Sequence, residues 1–345
     1  MIDIAVLNRL NAPTRAERLE NLRTLLSGTA FPEAVPQYVN NHIHTTYSFS
    51  PYSPAAAVYA ARLEGLCTAG IVDHDSIAGA REFLEAAELA GLPATIGMEC
   101  RVDMRGTRLE GRRTNNPDQV GISYMTIQSV PHGKIDFLDQ FFAPRREARN
   151  RRNRKMVENI NRLLPDAALD FEKDVLPLSQ WREGGSVTER HLMYALAKRL
   201  MGQTGKGPGL TARLEKMGLE LSEKQRTALL DTEYPFYEYG LLGILKSAFV
   251  PKIYIDAGEE CPQLAEVVRL CREADACLCY AYLGDVGESV TGDKKAQRFE
   301  DAYLEELFQC LREEGVWAVT YMPARNTPGQ LERLRGLCRE YGMFQ

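Results

Sequence analysis

Three short strand candidates, each containing or followed at once by side chains of metal-binding type, constrain the fold of this chain most strongly. They are Val39–His44, which ends in two histidines, Ala69–Val72 before Asp73-His74-Asp75, and Ala94–Met98 before Glu99. Longer segments of helical character separate the runs, and this alternation is typical of parallel βαβ units. Because parallel strands end at the same edge of a sheet, we expect the polar side chains to meet there.

The remainder of the chain extends this alternation. Residues 1–25 predict one amphipathic helix, and the prolines within 31–36 predict a connector. Further strands are predicted at Val120–Ser129, Ala276–Tyr282 and Val316–Tyr321. Helices are predicted at Pro54–Glu64, Ile77–Ala90, Gln263–Glu273, Glu300–Glu314 and Gln330–Tyr341. The stretch from 155 to about 240 is predicted to be mostly helical, which indicates a subdomain inserted into the α/β fold.

A run of basic residues opens this helical stretch, since seven of the eleven residues from Arg145 to Lys155 are Arg or Lys. Such a run can bind nucleic acid or an anionic substrate. Alternatively, it forms a solvated helix face or pairs with acidic neighbours, and this second interpretation is favoured. The net charge of −5 gives no general attraction to nucleic acid. Nucleic acid is therefore not expected as a partner.

The composition is that of an ordinary globular protein, with 44% hydrophobic and 26% charged residues. The sequence has no apolar stretch near the ~18 residues of a membrane span and no signal peptide pattern, so a cytoplasmic protein without a membrane partner is expected. Its eight cysteines lack C-x-x-C spacing and are expected to be reduced. Cys277 and Cys279 should share one face of a strand, where structural burial is favoured over metal binding.

The histidine spacing points to metal binding. His42 and His44 are two residues apart on a predicted strand, so both imidazoles project from the same face and can bind one ion. Together with His74 and Glu99, they offer a mixture of nitrogen and oxygen ligands that suits Zn, Mn or Fe.

These segments resemble the motifs of the PHP (polymerase and histidinol phosphatase) family of metal-dependent phosphoesterases. The resemblance rests on NNHIHTTYS at 40–48, GIVDHDSIAGA at 70–80 and IGMECRV at 96–102, in that order. It implies an α/β fold, a distorted (β/α)7 TIM-like barrel that binds up to three metals and hydrolyses phosphate esters. The metal site that it implies contains His42, His44, His74 and Glu99, with Asp73 as a supporting carboxylate.

The chain also departs from the PHP pattern. Asn40 and Phe49 stand where the first motif has aspartates, and residues 120–124 lack a histidine of the fourth strand. Tyr282 stands where a later histidine belongs, and the chain ends at Gln345 before the final motif. One or two ions are therefore expected rather than three.

A further resemblance concerns Arg190 and His191. The segment TERHL at 188–192 is similar to a helix start in the nucleotide-phosphatase branch of the family, where it faces the substrate. The resemblance implies that both residues hold a phosphate and act in catalysis. The planar guanidinium of Arg190 would form an ion pair with the phosphate through two parallel hydrogen bonds. A surface histidine at a helix N-terminus is the alternative.

Four segments are predicted: a helical extension (1–38), the first part of the barrel (39–144), a helical insertion (145–245) and the second part of the barrel (246–345), which is expected to be cut short. Two functions stay open. The first is hydrolysis of a small phosphorylated, nucleotide-like compound by metal-activated water. The second is a degenerate PHP module that binds an anionic ligand or a protein without hydrolysis. The oligomeric state is not predicted.

Overall fold

The computed structural model describes residues 2–285 and 298–345. The strands are β1 Val35–Ile43, β2 Leu66–His74, β3 Ala94–Asp103, β4 Ile122–Gln128, β5 Cys277–Ala281 and β6 Ala318–Thr320. The helices are α1 Ile4–Leu10, α2 Arg15–Gly28, α3 Pro54–Leu63, α4 Ala80–Ala90, α5 Ile135–Leu163, α6 Glu189–Thr204, α7 Pro208–Lys216, α8 Glu223–Leu230, α9 Tyr237–Ile253, α10 Leu264–Ala274, α11 Leu304–Glu314 and α12 Pro328–Glu340. Short 3₁₀ and π-helical turns lie before α5, between α5 and α6, and before α11.

The six strands of the described residues form one sheet in chain order, from β1 to β6. β1, β2 and β3 are parallel neighbours, as are β5 and β6. The expectation that β4 continues the parallel pattern is wrong, because β4 runs antiparallel to both β3 and β5. The 104–121 connection contains no helix to carry the chain back across the sheet, so β4 returns in the opposite direction. The carboxyl ends of the other five strands therefore share one edge, where β4 begins.

The N-terminal extension contains two helices, so the prediction of a single helix is wrong. Pro13 lies between them and has no backbone N–H to continue a helix. Thr14 then begins α2 through a capping box, in which its hydroxyl accepts a hydrogen bond from the Glu17 N–H at 3.3 Å and the Glu17 carboxylate accepts one from the Thr14 N–H.

Most predicted elements are confirmed, with shifted ends. Helix α3 was predicted at Pro54–Glu64 and is observed at Pro54–Leu63. Strands β2 and β3 are longer than the apolar runs, since the polar residues after each run stay in the ladder, with His74 opposite Glu99. No helix of the described residues is long and apolar enough to cross a membrane.

Two large hydrophobic cores form most of the interior of the described residues, and α5 contributes to both. Its residues Ile135, Leu138 and Phe142 belong to the core around the sheet. Met156, by contrast, belongs to a second core, formed with α6–α9. The change of core falls near the predicted start of the insertion at 145, but the domain boundaries stay a prediction.

Gly97 of β3 lies close against the backbone of β4. A Cβ at this position would sit 2.0 Å from the Ile127 carbonyl oxygen, so only glycine fits. We expect Gly97→Ala to lower the free energy of unfolding by about 2 kcal/mol, because backbone must move. Gly133→Ala is the control, since nothing lies within 4 Å of its Cβ position. Urea denaturation measures both, and equal stability losses would contradict this account.

Candidate metal centre

Three histidines and one glutamate meet at the carboxyl edge of the parallel strands. His42 lies near the end of β1, and His44 follows that strand by one residue, so both rings project from the same side. His74 is the last residue of β2 and pairs in register with Glu99 of β3. The rings of His44 and His74 stack with centroids 4.4 Å apart. The structure thus brings these four side chains together.

The separations between the side-chain atoms suit one divalent ion. His42 Nε2 lies 3.5 Å from Glu99 Oε1, and His44 Nε2 lies 3.8 Å from Glu99 Oε2. Bonds of roughly 2.0–2.2 Å to a tetrahedral ion place neighbouring ligand atoms about 3.4 Å apart. Small movements would therefore complete the coordination. The side chains of His42 and His44 are 29% and 28% exposed, which leaves room for water as a further ligand.

His74 contacts the cluster differently. Its Nδ1 lies 2.7 Å from Glu99 Oε2, a hydrogen-bond distance that is too short to hold an ion bonded to both atoms. In this arrangement, His74 orients the Glu99 carboxylate towards His42 and His44. Its role as a metal ligand stays a prediction.

The protonation states suit metal binding. Burial raises the pKa of Glu99, but the imidazoles of His74, His42 and His44 outweigh burial and bring that pKa to about 2. Burial and the neighbouring charge of His74 hold the pKa of His44 well below its ordinary value. Near neutral pH, Glu99 is therefore a carboxylate and His44 a neutral imidazole, the forms that bind a metal.

Asp73 lies beside the ligands and supports them. Its carboxylate is buried and accepts hydrogen bonds from the Thr45 N–H at 2.6 Å and the Ser48 hydroxyl at 2.6 Å. Ser48 Oγ also lies 3.5 Å from His44 Nδ1. Because the Ser48 hydroxyl donates to Asp73, its oxygen can accept a proton from His44 Nδ1. In that tautomer, the Nε2 lone pair of His44 is the one that can bind an ion beside Glu99.

We expect Asp73→Asn to weaken metal affinity about 10- to 100-fold, as the loss of an outer-shell carboxylate typically does. The amide cannot accept from Thr45 and Ser48 as a carboxylate does, so His44 loses its fixed orientation. Titration calorimetry with Mn²⁺ measures the change. Asp136→Asn is the control because Asp136 is exposed and pairs with Arg81. Unchanged affinity in Asp73→Asn would contradict the supporting role.

The profile of the PHP domain matches residues 40–317. The chain belongs to the PHP domain family. Its matched region contains the whole His42, His44, His74 and Glu99 cluster, whereas no curated protein matches the chain.

Two solved structures share the fold of this PHP chain. One, from Bifidobacterium adolescentis, has the provisional name metal-dependent phosphoesterase; it is 22% identical, with a TM-score of 0.55 over 89% of this chain and 85% of its own. The other is an amidohydrolase from Chromobacterium violaceum with bound sulfate and no metal; it is 14% identical, with a TM-score of 0.53 over 88% of this chain and 84% of its own. At these identities, the likeness concerns the fold.

The residues that replace PHP ligands have other contacts. The Asn40 side chain accepts a hydrogen bond from the His42 N–H at 3.0 Å. Phe49 adopts a left-handed backbone with φ of 103°, and its ring packs edge-on against His191 at 4.9 Å. Tyr124 lies 6.0 Å from the ring of His74, and the Tyr282 hydroxyl donates to Asp301 at 2.5 Å.

The two predicted phosphate-binding residues differ in exposure. Arg190 is exposed, and its charge also lowers the pKa of His44, so it lies near the ligands. His191 is 1% exposed, and its Nδ1 accepts a hydrogen bond from the Thr188 N–H at 3.0 Å as part of a capping box. Burial, followed by the charge of Arg149, lowers the pKa of His191 to about 3, so its ring is neutral. Phosphate binding by either residue stays a prediction.

A buried ion-pair network adjoins the centre, and the sequence did not predict its burial. Arg149 bridges Asp75, next to His74, and Glu189 at 2.6 and 2.7 Å. Arg152 bridges Glu189 and Glu260 at 2.6 and 2.5 Å. The expected pairing of the basic run with acidic residues is confirmed. The prediction of a solvated helix face is confirmed for Arg151 and Arg154, which are exposed. It is wrong for Arg149 and Arg152, which are buried because their spacing of three puts them on the inner face of α5.

Proposed function

We propose that this PHP chain is a metal-dependent phosphoesterase that hydrolyses a small phosphorylated, nucleotide-like compound. The observation that carries the proposal is the convergence of His42, His44 and Glu99, whose ligand atoms all lie within 4.8 Å of one another at the open edge of the sheet. Membership of the PHP family and the name of the Bifidobacterium adolescentis neighbour support it. Such a mixed ligand set suits Zn, Mn or Fe, with one or two ions bound.

Each side chain of the centre then has a task. His42, His44 and Glu99 would hold the ion, which supplies a Lewis acid and lowers the pKa of bound water when present. His74 keeps Glu99 oriented by its hydrogen bond, and Ser48 fixes the tautomer of His44. Arg190 would bind phosphate oxygens and offset their charge, since it is exposed beside the ligands. His191 would support this helix start from the interior.

A second candidate is a PHP module that binds an anionic ligand or a protein without hydrolysis. The replacement of later ligands favours it. Tyr282 uses its hydroxyl for Asp301, and Phe49 packs on His191, so neither offers a metal ligand in the position of the family motif. In this case, Arg190 and the histidines would bind an anion without promoting its hydrolysis.

The proposal extends to a seven-stranded barrel. The Val319 N–H donates to the Phe344 carbonyl at 2.9 Å, and the Phe344 N–H donates to the Trp317 carbonyl at 2.8 Å. Phe344 thus pairs beside β6 in the parallel direction, as a seventh strand would. The exposed Tyr38 on β1 is consistent with such a strand between β6 and β1. The four predicted segments of the chain are part of this proposal.

Phosphate release from 3′- and 5′-nucleotides and p-nitrophenyl phosphate, together with alcohol release from a phosphodiester, tests the function, with Mn²⁺, Zn²⁺ or Fe²⁺ added. We expect metal-dependent hydrolysis that EDTA abolishes. His42→Ala should remove it and His132→Ala should not, because His132 is exposed beyond the opposite end of β4. Absence of hydrolysis, with thermal stabilisation by a nucleotide that Arg190→Ala removes, would favour the second candidate.

A further inference from the structure

Two cysteines form a close pair at the end of the sheet opposite the metal centre. Cys277 begins β5, and Cys279 projects from the same face two residues later. Their sulfur atoms are 3.8 Å apart, and the Cys279 thiol is within hydrogen-bond distance of both the Cys277 sulfur and the Cys277 carbonyl oxygen, which lies at 3.7 Å. All the cysteines are free thiols. This pair is the closest approach of two thiols that the structure records as a contact.

The two thiols of the pair differ in exposure. Cys277 is partly exposed at the start of β5, whereas Cys279 is only 4% exposed. A cavity of about 310 Å³ lies at this end of the strand, with Cys271, Arg272, Asp275, Cys277 and Trp317 in its lining. Cys277 is therefore the member of the pair that is open to solvent.

The chemistry of the two thiols differs accordingly. The hydrogen bond from Cys279 lowers the pKa of Cys277 to about 7, despite partial burial. The pKa of Cys279 is raised by the same contact and by burial. Near neutral pH, the accessible thiol is thus the one that ionises, and a thiolate is the form that reacts with oxidants.

We propose that Cys277 is a site of reversible oxidation by a peroxide and that Cys279 is its resolving thiol. The Cys277 thiolate attacks one peroxide oxygen, so that an S–O bond forms, the O–O bond breaks and the departing oxygen takes a proton. Sulfur is oxidised to the sulfenic acid, and the peroxide is reduced to water or an alcohol. Cys279 then attacks this sulfur, the S–S bond forms, the S–O bond breaks, and water leaves with the Cys279 proton.

The strand geometry makes this disulfide easy to reverse. Two residues of strand span roughly 6.6–6.8 Å between Cα atoms, at the upper end of the ~4.4–6.8 Å range of disulfides. Closing the sulfurs from 3.8 Å to a bond therefore bends β5. Cys279 also pairs with Thr126 of β4 and Ala318 of β6, so both ladders resist this bend. We expect mild thiol reductants to reopen the bond.

The test treats the full chain with hydrogen peroxide, blocks the remaining thiols and maps tryptic peptides by mass spectrometry. The peptide Glu273–Lys294 carries both cysteines and no other. We expect it to lose the mass of two hydrogen atoms, to escape alkylation and to recover both thiols with dithiothreitol. In Cys279→Ser, Cys277 should instead react with dimedone, the reagent for sulfenic acids. Cys310→Ser, which removes a buried thiol elsewhere, is the control.

Unmodified Cys277 after peroxide treatment that oxidises the unfolded chain would overturn the proposal. A disulfide between Cys277 and Cys271 would overturn the assignment of Cys279. Mapping of the unsubstituted chain keeps the proposal testable even if Cys279→Ser does not fold. None of these readouts depends on hydrolysis, so failure of the proposed function leaves this inference standing.

Discussion

His42→Ala/His44→Ala is expected to bind no divalent ion and to lose metal-dependent hydrolysis by more than about 100-fold. Loss of a side chain that only hydrogen-bonds to a ligand already costs roughly 10- to 100-fold, and this variant removes two of the three ligands that fit one ion. Glu99 would remain as a buried carboxylate held by His74 at 2.7 Å, which is too few donors for a stable site. Elemental analysis of protein purified without chelator measures the loss directly.

The control for this double variant is His132→Ala, which removes an exposed imidazole elsewhere. It should keep metal content and hydrolysis at the level of the unsubstituted chain. Circular dichroism must show that the double variant is folded. Unchanged metal content in the folded double variant would contradict the assignment of both histidines.

Glu189→Gln is expected to lower the free energy of unfolding by about 3 kcal/mol, the scale found when a buried ion pair loses one partner. Glu189 accepts hydrogen bonds from Arg149 and Arg152 at 2.7 and 2.6 Å, and Arg101 lies 3.8 Å away. Burial raises the pKa of Glu189, but these three guanidinium groups outweigh burial and hold it well below its usual value. Gln keeps the shape of the side chain and leaves the three cations facing only Asp75 and Glu260.

Urea denaturation at pH 7 measures this loss, and Glu223→Gln is the matched control. Glu223 is also the first residue of a helix, but it is exposed, so its replacement should change stability by less than about 0.5 kcal/mol. Because the pKa of Glu189 is depressed, its contribution is present above the ordinary carboxylate pKa and is lost on acidification. A decrease in the free energy of unfolding of less than about 1 kcal/mol in Glu189→Gln would show that the ion-pair network contributes little to stability.

The sequence was most informative where the pattern of apolar residues predicted a strand and metal-binding side chains stood at the end of that strand. The apolar runs before His74 and Glu99 predicted two parallel strands, and parallel register then brought these side chains opposite each other. The two-residue spacing of His42 and His44 predicted a shared face in the same way. These inferences depend on local geometry alone, which is why they could be made without coordinates.

Other features depend on contacts that no local pattern encodes. The direction of β4 follows from the 104–121 loop, whose length does not tell whether the chain crosses the sheet or turns back. Arg149 and Arg152 are buried because acidic residues about 37–108 positions away reach them, although their spacing of three was a usable signal. The support of His44 by Ser48 and Asp73 likewise needed the tertiary structure.

The most direct test of a metal centre in this PHP chain is anomalous X-ray diffraction from crystals of the purified protein. The data are measured above and below the absorption edge of the metal that these crystals contain. We predict one strong peak about 2.0–2.2 Å from His42 Nε2, His44 Nε2 and a Glu99 carboxylate oxygen. The peak should vanish in crystals of His42→Ala/His44→Ala. A peak at other residues, or none at these three in crystals grown with Mn²⁺ or Zn²⁺, would contradict the assignment.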